Sequence, residues 1–343
     1  MSAALATPSP AATARLATLF RGSLREGRVH PLFHLLQRHT GVDGPMDIPP
    51  APAAARAAER RALVDPAVLN QRVAELPALP QVLLELLAAL RSDDVRLDDC
   101  ANRLSRDLAL SARTLRLANS AFYGVPGRVG TVQDAIGLLG LRTLGSMLTA
   151  AAVSTQFKPP PCPGFDFGGF WRHAVASGMA ARAIARQRRL DQDLCFTAGL
   201  LHDIGRLALA TYFPDEFSVA LAEGRESDLP PYAVERAVLG VCHAEVGAAI
   251  AAHWRFPANV VEAIALHHVP RAPGDGATAS AADVVHVADA VVHALDLSGD
   301  PREFVPPLAL PAWARVGLLP EQCLALFEQV EAGVAEACEG LGL

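Results

Sequence analysis

The residues best suited to chemistry lie in one apolar segment, Cys195–Leu209, whose sequence is CFTAGLLHDIGRLAL. Its centre holds His202 directly before Asp203. A neutral imidazole and a carboxylate are both good ligands for first-row divalent ions. Two neighbouring residues on one helix cannot surround an ion, so other helices must supply the remaining ligands. The pair therefore predicts a metal site at the centre of a helical bundle.

Further candidate ligands occur in other segments that have helical spacing. They are His173, His243, the pair His267 and His268, and Asp289. Each has mainly apolar neighbours, where an unpaired buried imidazole would cost free energy. A shared polar site removes that cost, either by holding metal or as a buried hydrogen-bond network without an ion. The His267–His268 pair has a second alternative, which is to cap the end of a helix.

Length and composition limit the class of protein. The chain has 343 residues, 51% of them hydrophobic, which is enough for two domains. A formal net charge of −6 argues against a surface built for nucleic acid or anionic lipid. The six cysteines are scattered without a C-x-x-C pair, as expected for reduced core thiols in a cytosolic protein.

No apolar run reaches the roughly 18 to 20 residues of a membrane helix, so we expect a cytoplasmic protein without a membrane partner. Residues 1–30 are rich in Ala and Arg and nearly free of acid, which is also typical of an organellar transit peptide.

Two stretches of linker composition divide the chain. Residues 41–55 are rich in Pro, Gly and Ala, and residues 158–164 contain four prolines. The predicted units are an extension and linker over 1–62, a helical domain over 63–160, a second helical domain over 165–297 and a helical tail over 298–343. The apolar face of residues 16–36 is expected to dock on the same chain or to form a homodimer. We expect the protein to remain folded without residues 1–60.

The predicted fold class is all-α, because no segment alternates convincingly as a strand. The second of the two helical domains is expected to be a bundle around the metal site. The predicted helices cover residues 65–75, 79–90, 97–106, 108–119, 132–139, 141–156, 171–186, 194–212, 231–239, 245–254, 258–267 and 283–295.

Residues 97–119 have the two-helix spacing of a DNA-reading helix-turn-helix, with Arg113 and Arg116 on the second helix. The preceding residues 91–99 are acidic, however, and no second basic element accompanies them. An ordinary hairpin of the bundle is the favoured interpretation, and DNA is not an expected partner.

The order of the motifs resembles the HDOD family of bacterial signalling proteins over about residues 70–290. The C-terminal motifs are Trp171-x-His173, GLLHDIGRLAL at 199–209, His243-Ala-Glu-Val-Gly-Ala, Trp254-x-x-Pro257, His267-His268 and Ala288-Asp289. The N-terminal motifs are Leu76-Pro-Ala-Leu-Pro80, Ser105-Arg106-Asp107, Asn119-Ser120 and Ala135-Ile-Gly-Leu-Leu-Gly140.

This resemblance implies an HD-like helical bundle related to the HD and HD-GYP phosphohydrolases. By that relation, one ion would be bound by His173, His202, Asp203 and Asp289. A second position would be completed by His243, His267 and His268, with Asp203 bridging. The implied cofactor is divalent Fe, Mn, Zn or Mg, as one ion, two ions or none. Two such ions could generate a hydroxide and clamp a phosphate ester.

The sequence departs from the HD-GYP pattern at two places. Residues 269–274 replace the Asp-Gly-x-Gly-Tyr-Pro loop, and Arg206 stands where a lysine is usual. One hypothesis is a non-enzymatic module that binds an unidentified signalling protein, with metal or a nucleotide as input. The other is a metal-dependent phosphohydrolase acting on a nucleotide or cyclic dinucleotide, with Asp203 and Arg206 as its catalytic candidates. His286 and His293 are expected to be structural core residues.

Overall fold

A computed structural model of the chain describes most of its length. The described residues are 10–42, 63–79, 83, 101–102, 104–105, 108–119, 129–157, 159–227, 229–270, 278–297, 300 and 303–341. Within them every regular element is an α-helix and no strand occurs, which confirms the all-α prediction.

Seven described helices precede the proline-rich stretch at 159–163. They are α1 (Pro10–Leu19), α2 (Arg21–Arg25), α3 (Pro31–Thr40), α4 (Pro66–Ala74), α5 (Leu108–Ala118), α6 (Val132–Leu139) and α7 (Leu141–Gln156). The local signals behave as predicted, since Asp65 caps α4 with proline at its first position. The predicted helix at 79–90 and most of the one at 97–106 lie outside the described residues, as does the first half of the helix-turn-helix candidate.

Ten helices follow. They are α8 (Phe167–Arg188), α9 (Gln192–Leu201), α10 (Ile204–Tyr212), α11 (Pro214–Arg225), α12 (Pro231–Leu239), α13 (His243–His253), α14 (Ala258–Leu266), α15 (Ala281–Ala294), α16 (Leu310–Val316) and α17 (Pro320–Leu341). The predicted helices in this half are confirmed to within a few residues, with one exception. None of the described helices is long and apolar enough to cross a membrane.

The exception is the segment that carries the His-Asp pair. The prediction of one continuous helix over 194–212 is wrong, because α9 ends at Leu201 and α10 begins at Ile204. Asp203 leaves helical geometry with φ −97° and ψ 7°. A straight helix would point adjacent residues about 100° apart, since it has 3.6 residues per turn. The break at the pair lets both side chains reach the same polar centre.

The long helix α8 forms the middle of the bundle and packs against α9, α15 and α17. The helices α10 and α13 cross at very short range at Gly205. A Cβ atom at Gly205 would lie 2.0 Å from the carbonyl oxygen of His243 and 2.8 Å from the backbone nitrogen of Gly247. Only glycine permits this approach, which holds Asp203 close to His243.

The N-terminal helices dock on the same chain. Leu16, Phe20 and Leu32 are at most 3% exposed and belong to the same buried cluster as the bundle core. Of the two docking alternatives, this face therefore takes the intramolecular one, while the folding of the protein without residues 1–60 stays a prediction. The docking partner is the C-terminal tail, where the Val305 backbone N–H donates to the Leu19 carbonyl at 2.8 Å.

Candidate metal centre

The centre consists of two adjoining groups of ligand-type atoms, contributed by helices that are distant in the sequence. The first group contains His173 on α8, His202 at the end of α9 and Asp289 on α15. The His173 Nε2 atom lies 3.0 Å from Asp289 Oδ1 and 3.3 Å from His202 Nε2. His202 Nε2 lies 3.5 Å from the same carboxylate oxygen. Three ligand-type atoms thus surround one point.

The second group contains Asp203, His243, His267 and His268. His243 Nε2 lies 3.0 Å from Asp203 Oδ1 and 2.7 Å from His268 Nε2. His267 Nε2 lies 3.8 Å from Asp203 Oδ1. All four come from the start of α10, the start of α13 and the end of α14.

Asp203 is the contact between the two groups. Its Oδ1 atom lies 3.6 Å from His202 Nε2 in the first group as well as near His243 in the second. Its Oδ2 atom accepts from Arg206 at 3.3 Å, so Arg206 pairs with a carboxylate of the centre. All seven predicted site residues therefore converge, although Asp203 groups with the second set.

Outer hydrogen bonds orient the imidazoles. Nδ1 of His202 donates to the Gly199 carbonyl, and Nδ1 of His267 donates to the Ile264 carbonyl, both at 2.7 Å. Nδ1 of His243 lies 2.5 Å from Glu235 Oε2, to which the His243 backbone N–H also donates at 2.8 Å. A histidine whose Nδ1 carries the proton presents a lone pair at Nε2, which is the usual outer arrangement of a metal-binding histidine.

The geometry fits a bound divalent ion. His267 Nε2 is buried and has no hydrogen-bond partner among the described residues, which is costly unless something binds it. Burial, reinforced by His202 and His243, lowers the pKa of His267 to about 3, so its lone pair is not taken by a proton. Ligands about 2.1 Å from a common ion lie about 3.0 to 3.4 Å apart, close to most of the separations found.

Without an ion the centre has strongly coupled charges. Burial opposes ionisation of Asp203, but His202 and His243 outweigh it and keep the pKa of Asp203 well below its usual value. Burial also opposes protonation of His243, yet Glu235 and Asp203 raise the pKa of His243 to about 10. These opposite shifts have one cause, which is the attraction between the buried carboxylates and the protonated imidazoles beside them.

Three residues of the centre were not among the predicted ligands. Glu235 orients His243, as described above. His293 lies one turn beyond Asp289 on α15, with its Nε2 atom 3.2 Å from Asp289 Oδ1. Its Nδ1 atom lies 2.7 Å from Oε1 of Glu303, which comes from the tail. The i+4 spacing of His293 from Asp289 was visible in the sequence, whereas nothing local marks Glu303. His286 is a core residue as expected, and it donates to the carbonyl of His267 at 2.6 Å. The same expectation is wrong for His293, which is partly exposed and lines the cavity beside Asp289.

A cavity of about 470 Å³ opens onto the centre. His173, Asp203, Arg206 and His293 line its floor side. Its walls include residues of the N-terminal helices and of the tail, namely Arg21, Glu303 and Phe304.

The structure thus places a His-Asp pair at a helix break with further histidines converging on it, as the motif resemblance implies. The family model of the HDOD domain matches residues 76–270, and the chain belongs to the HDOD domain family. The resemblance stated from the motifs is thus confirmed.

Solved structures and a curated relative show similarity over much of the chain. A protein of Shewanella amazonensis SB2B named as a phosphohydrolase is 28% identical, covers 77% of this chain and 98% of its own, and has a TM-score of 0.55. An HDOD domain protein of unknown function from Geobacter sulfurreducens is 23% identical, covers 81% of this chain and 98% of its own, and has a TM-score of 0.63. An uncharacterised protein of Treponema pallidum is 32% identical over 212 residues, which are 60% of this chain and 40% of that relative. This chain therefore spans less than half the length of its Treponema relative.

Proposed function

We propose that this chain is a regulatory module that binds one or two divalent ions at the buried centre and, in the ion-bound state, presents a surface to a signalling protein. The observation that carries the proposal is the convergence of His173, His202 and Asp289 beside Asp203, His243, His267 and His268. Two buried carboxylates among five imidazoles need either protons or cations to balance their charge.

The ligand set favours some ions over others. Imidazole nitrogen is a good ligand for Zn and Fe, while Mg prefers oxygen and keeps several waters. The second group has three imidazoles and one carboxylate, so a nitrogen-preferring ion fits it best. The first group, with two imidazoles and one carboxylate, resembles the ligand set of an open site that keeps a position for water.

A regulatory role is supported by the sequence after the His267–His268 pair. Residues 269–274, Val-Pro-Arg-Ala-Pro-Gly, lack the loop that HD-GYP proteins carry there.

A second candidate function is metal-dependent phosphohydrolysis, and the cavity over the centre favours it. The cavity reaches His173 and Asp203, so an ester held there would meet any bound ion. The neighbour of 28% identity from Shewanella amazonensis is named as a phosphohydrolase. A metal ion would supply a hydroxide and polarise the phosphoryl oxygen, while Arg206 would place positive charge beside Asp203.

Metal analysis of the purified full chain tests the proposal. We expect stoichiometric divalent metal in the wild type, and its loss in both His202→Ala and Asp203→Ala. The exposed His34 on α3 provides a matched control, and His34→Ala should retain the metal. Absence of metal from protein prepared and dialysed with Zn, Fe and Mn would overturn the proposal.

Assays with cyclic and linear nucleotides then separate the two candidates. Metal without turnover supports the regulatory module. Turnover that disappears in Asp203→Ala would replace it with the phosphohydrolase.

A further inference from the structure

The cavity over the centre combines two kinds of wall. The partly exposed rings of Phe165 and Phe304 supply aromatic surface, and Phe165 packs on the buried rings of Phe170 and Phe217. Arg21, Arg206 and Arg225 supply guanidinium groups. Planar guanidinium groups bind phosphate through paired N–H donors, and aromatic faces stack on rings. A volume of about 470 Å³ lies within the usual range for small-molecule pockets.

Arg21 brings a cation from outside the residues matched by the family model. It donates through NH1 to the Thr18 carbonyl at 2.8 Å and to the Glu303 carbonyl at 3.0 Å. Its guanidinium carbon lies 5.0 Å from the centre of the Phe304 ring. These contacts hold Arg21 in place at the cavity wall, so it is already positioned for a ligand.

Arg225 stands at the end of α11, on a wall built by the bundle itself. It donates to the Gly164 carbonyl at 2.7 Å. Gly164 has φ +85°, and a Cβ atom there would lie 2.9 Å from the Arg225 guanidinium. The absence of a side chain at Gly164 leaves room for this arginine at the cavity.

Arg206 shows an independent sign of a ligand at the floor. Its Nε atom is buried and has no hydrogen-bond partner among the described residues, although its NH1 group pairs with Asp203. A buried donor of this kind is normally satisfied.

Carboxylates also line the cavity. They are Asp166, Asp203, Glu235, Asp300 and Glu303. Glu235 and Glu303 are held by His243 and His293 respectively, and Asp203 belongs to the metal group. Five carboxylates exceed three arginines, so an anion would bind best when the centre also holds a cation.

Resting on the proposed metal centre, we propose that this cavity binds a phosphate monoester with an aromatic body, of nucleoside monophosphate size. Arg21 and Arg225 bind the phosphate together with the ion-loaded centre, and the phenylalanines stack on the ring. The recognition residue Arg21 and the ring of Phe304 come from the two ends of the chain, outside residues 76–270.

Isothermal titration of the full-length, metal-loaded protein with AMP tests this inference, with adenosine and inorganic phosphate as separate arms. AMP should bind at least about tenfold more tightly than either fragment, because both walls contribute. Arg225→Gln, at an exposed residue, should weaken AMP binding about tenfold without changing the melting temperature. Arg21→Gln should also weaken AMP binding about tenfold, with a lower melting temperature because its hydrogen bonds to the Thr18 and Glu303 carbonyls are lost, and Arg21→Lys should restore part of the binding. Arg116→Gln, exposed on α5, is the matched control and should leave binding unchanged.

Metal content measured on the same sample separates this inference from the proposed function. Metal-loaded protein that binds no AMP, or binds it equally well in Arg225→Gln, overturns the inference alone. Equal affinity for AMP and inorganic phosphate overturns the proposal that the phenylalanines bind the ring. Protein that holds no metal overturns the proposed function, and the inference then stands only if AMP binding still depends on both Arg21 and Arg225.

Discussion

At the polar centre, side chains from five places in the sequence meet within about hydrogen-bond distance, and the backbones of α10 and α13 touch at Gly205. At the docked N-terminal helices, apolar side chains such as Leu16 and Phe20 fill the interface, while charged contacts such as Arg15 with Asp296 stand at its edge. The apolar residues that surround both regions belong to one buried cluster.

The polar centre and the docking face depend on different properties of the sequence. The centre depends on atomic positions, because an ion binds only if the ligands are placed within a few tenths of an ångström. The N-terminal docking depends on buried area, to which each apolar side chain contributes separately. Changes at the centre should therefore alter ion binding, and changes to the apolar side chains of the docking face should alter stability without altering ion binding.

The largest effect is expected from Gly205→Ala. The new Cβ atom would lie 2.0 Å from the His243 carbonyl oxygen, so α10 and α13 must separate. We expect a loss of more than about 4 kcal/mol in the free energy of unfolding, together with the bound metal. Urea denaturation and metal analysis measure both. Gly137→Ala is the control, because nothing lies within 4 Å of its Cβ position on α6, and it should stabilise by about 0.5 to 1 kcal/mol.

Phe20→Ala tests the docking face. Phe20 is 1% exposed and packs edge-on against Phe33 with ring centroids 5.2 Å apart. The substitution should cost about 3 to 5 kcal/mol in the free energy of unfolding, while metal content stays at the wild-type level. Val29→Ala, at a residue that is 61% exposed, should change stability by less than about 0.5 kcal/mol. Loss of metal in Phe20→Ala would mean that the docking also holds the centre in place.

His30 makes the docking face sensitive to pH. Its Nδ1 accepts from the Leu32 backbone N–H at 3.2 Å, and its Nε2 contacts the Pro306 carbonyl at 3.3 Å, so the bonded form is neutral. Burial, with a smaller contribution from His286, lowers the pKa of His30 from 6.5 to about 4. The unfolded chain therefore binds a proton that the folded chain resists, and stability falls as the pH drops from about 6.5 to about 4.

Protonation of His30 should lower the free energy of unfolding by about 3 kcal/mol over this pH range. Urea denaturation at pH 7 and pH 4.5, compared between the wild type and His30→Asn, isolates it from the centre. Asparagine can still cap α3 but does not titrate. A pH dependence that is the same in both proteins would show that His30 is not its source.

The smallest effect is expected from Glu235→Gln. The amide oxygen can still accept from His243 Nδ1, but the negative charge that makes this imidazole more basic is gone. Metal affinity should fall about 10- to 100-fold, measured by competition with a chelator, with little change in the melting temperature. Glu336→Gln, exposed on α17, should leave the affinity unchanged. An unchanged metal affinity in Glu235→Gln would show that Glu235 does not support metal binding.

Helix positions and ligand types were predictable because their signals are local. The predicted helices at 132–139, 141–156 and 231–239 have the observed bounds, since caps, prolines and apolar spacing act over a few residues. The His and Asp residues of the centre stand out because each interrupts an apolar segment. The break between α9 and α10 is not predictable from the sequence because residues 194–212 keep apolar helical spacing without a proline, and only the shared centre requires the turn at Asp203.

The sequence by itself determined the all-α class, the family and the seven residues that meet at the centre. Tertiary structure alone decided that Asp203 lies between two groups, that Glu235 and the tail residue Glu303 support them, and that Arg21 reaches the cavity. These contacts join residues such as His173 and Asp289, which are 116 positions apart. Periodicity within one helix gives the direction of a side chain on that helix. It does not give the crossing of two helices, which depends on how all the apolar faces pack together.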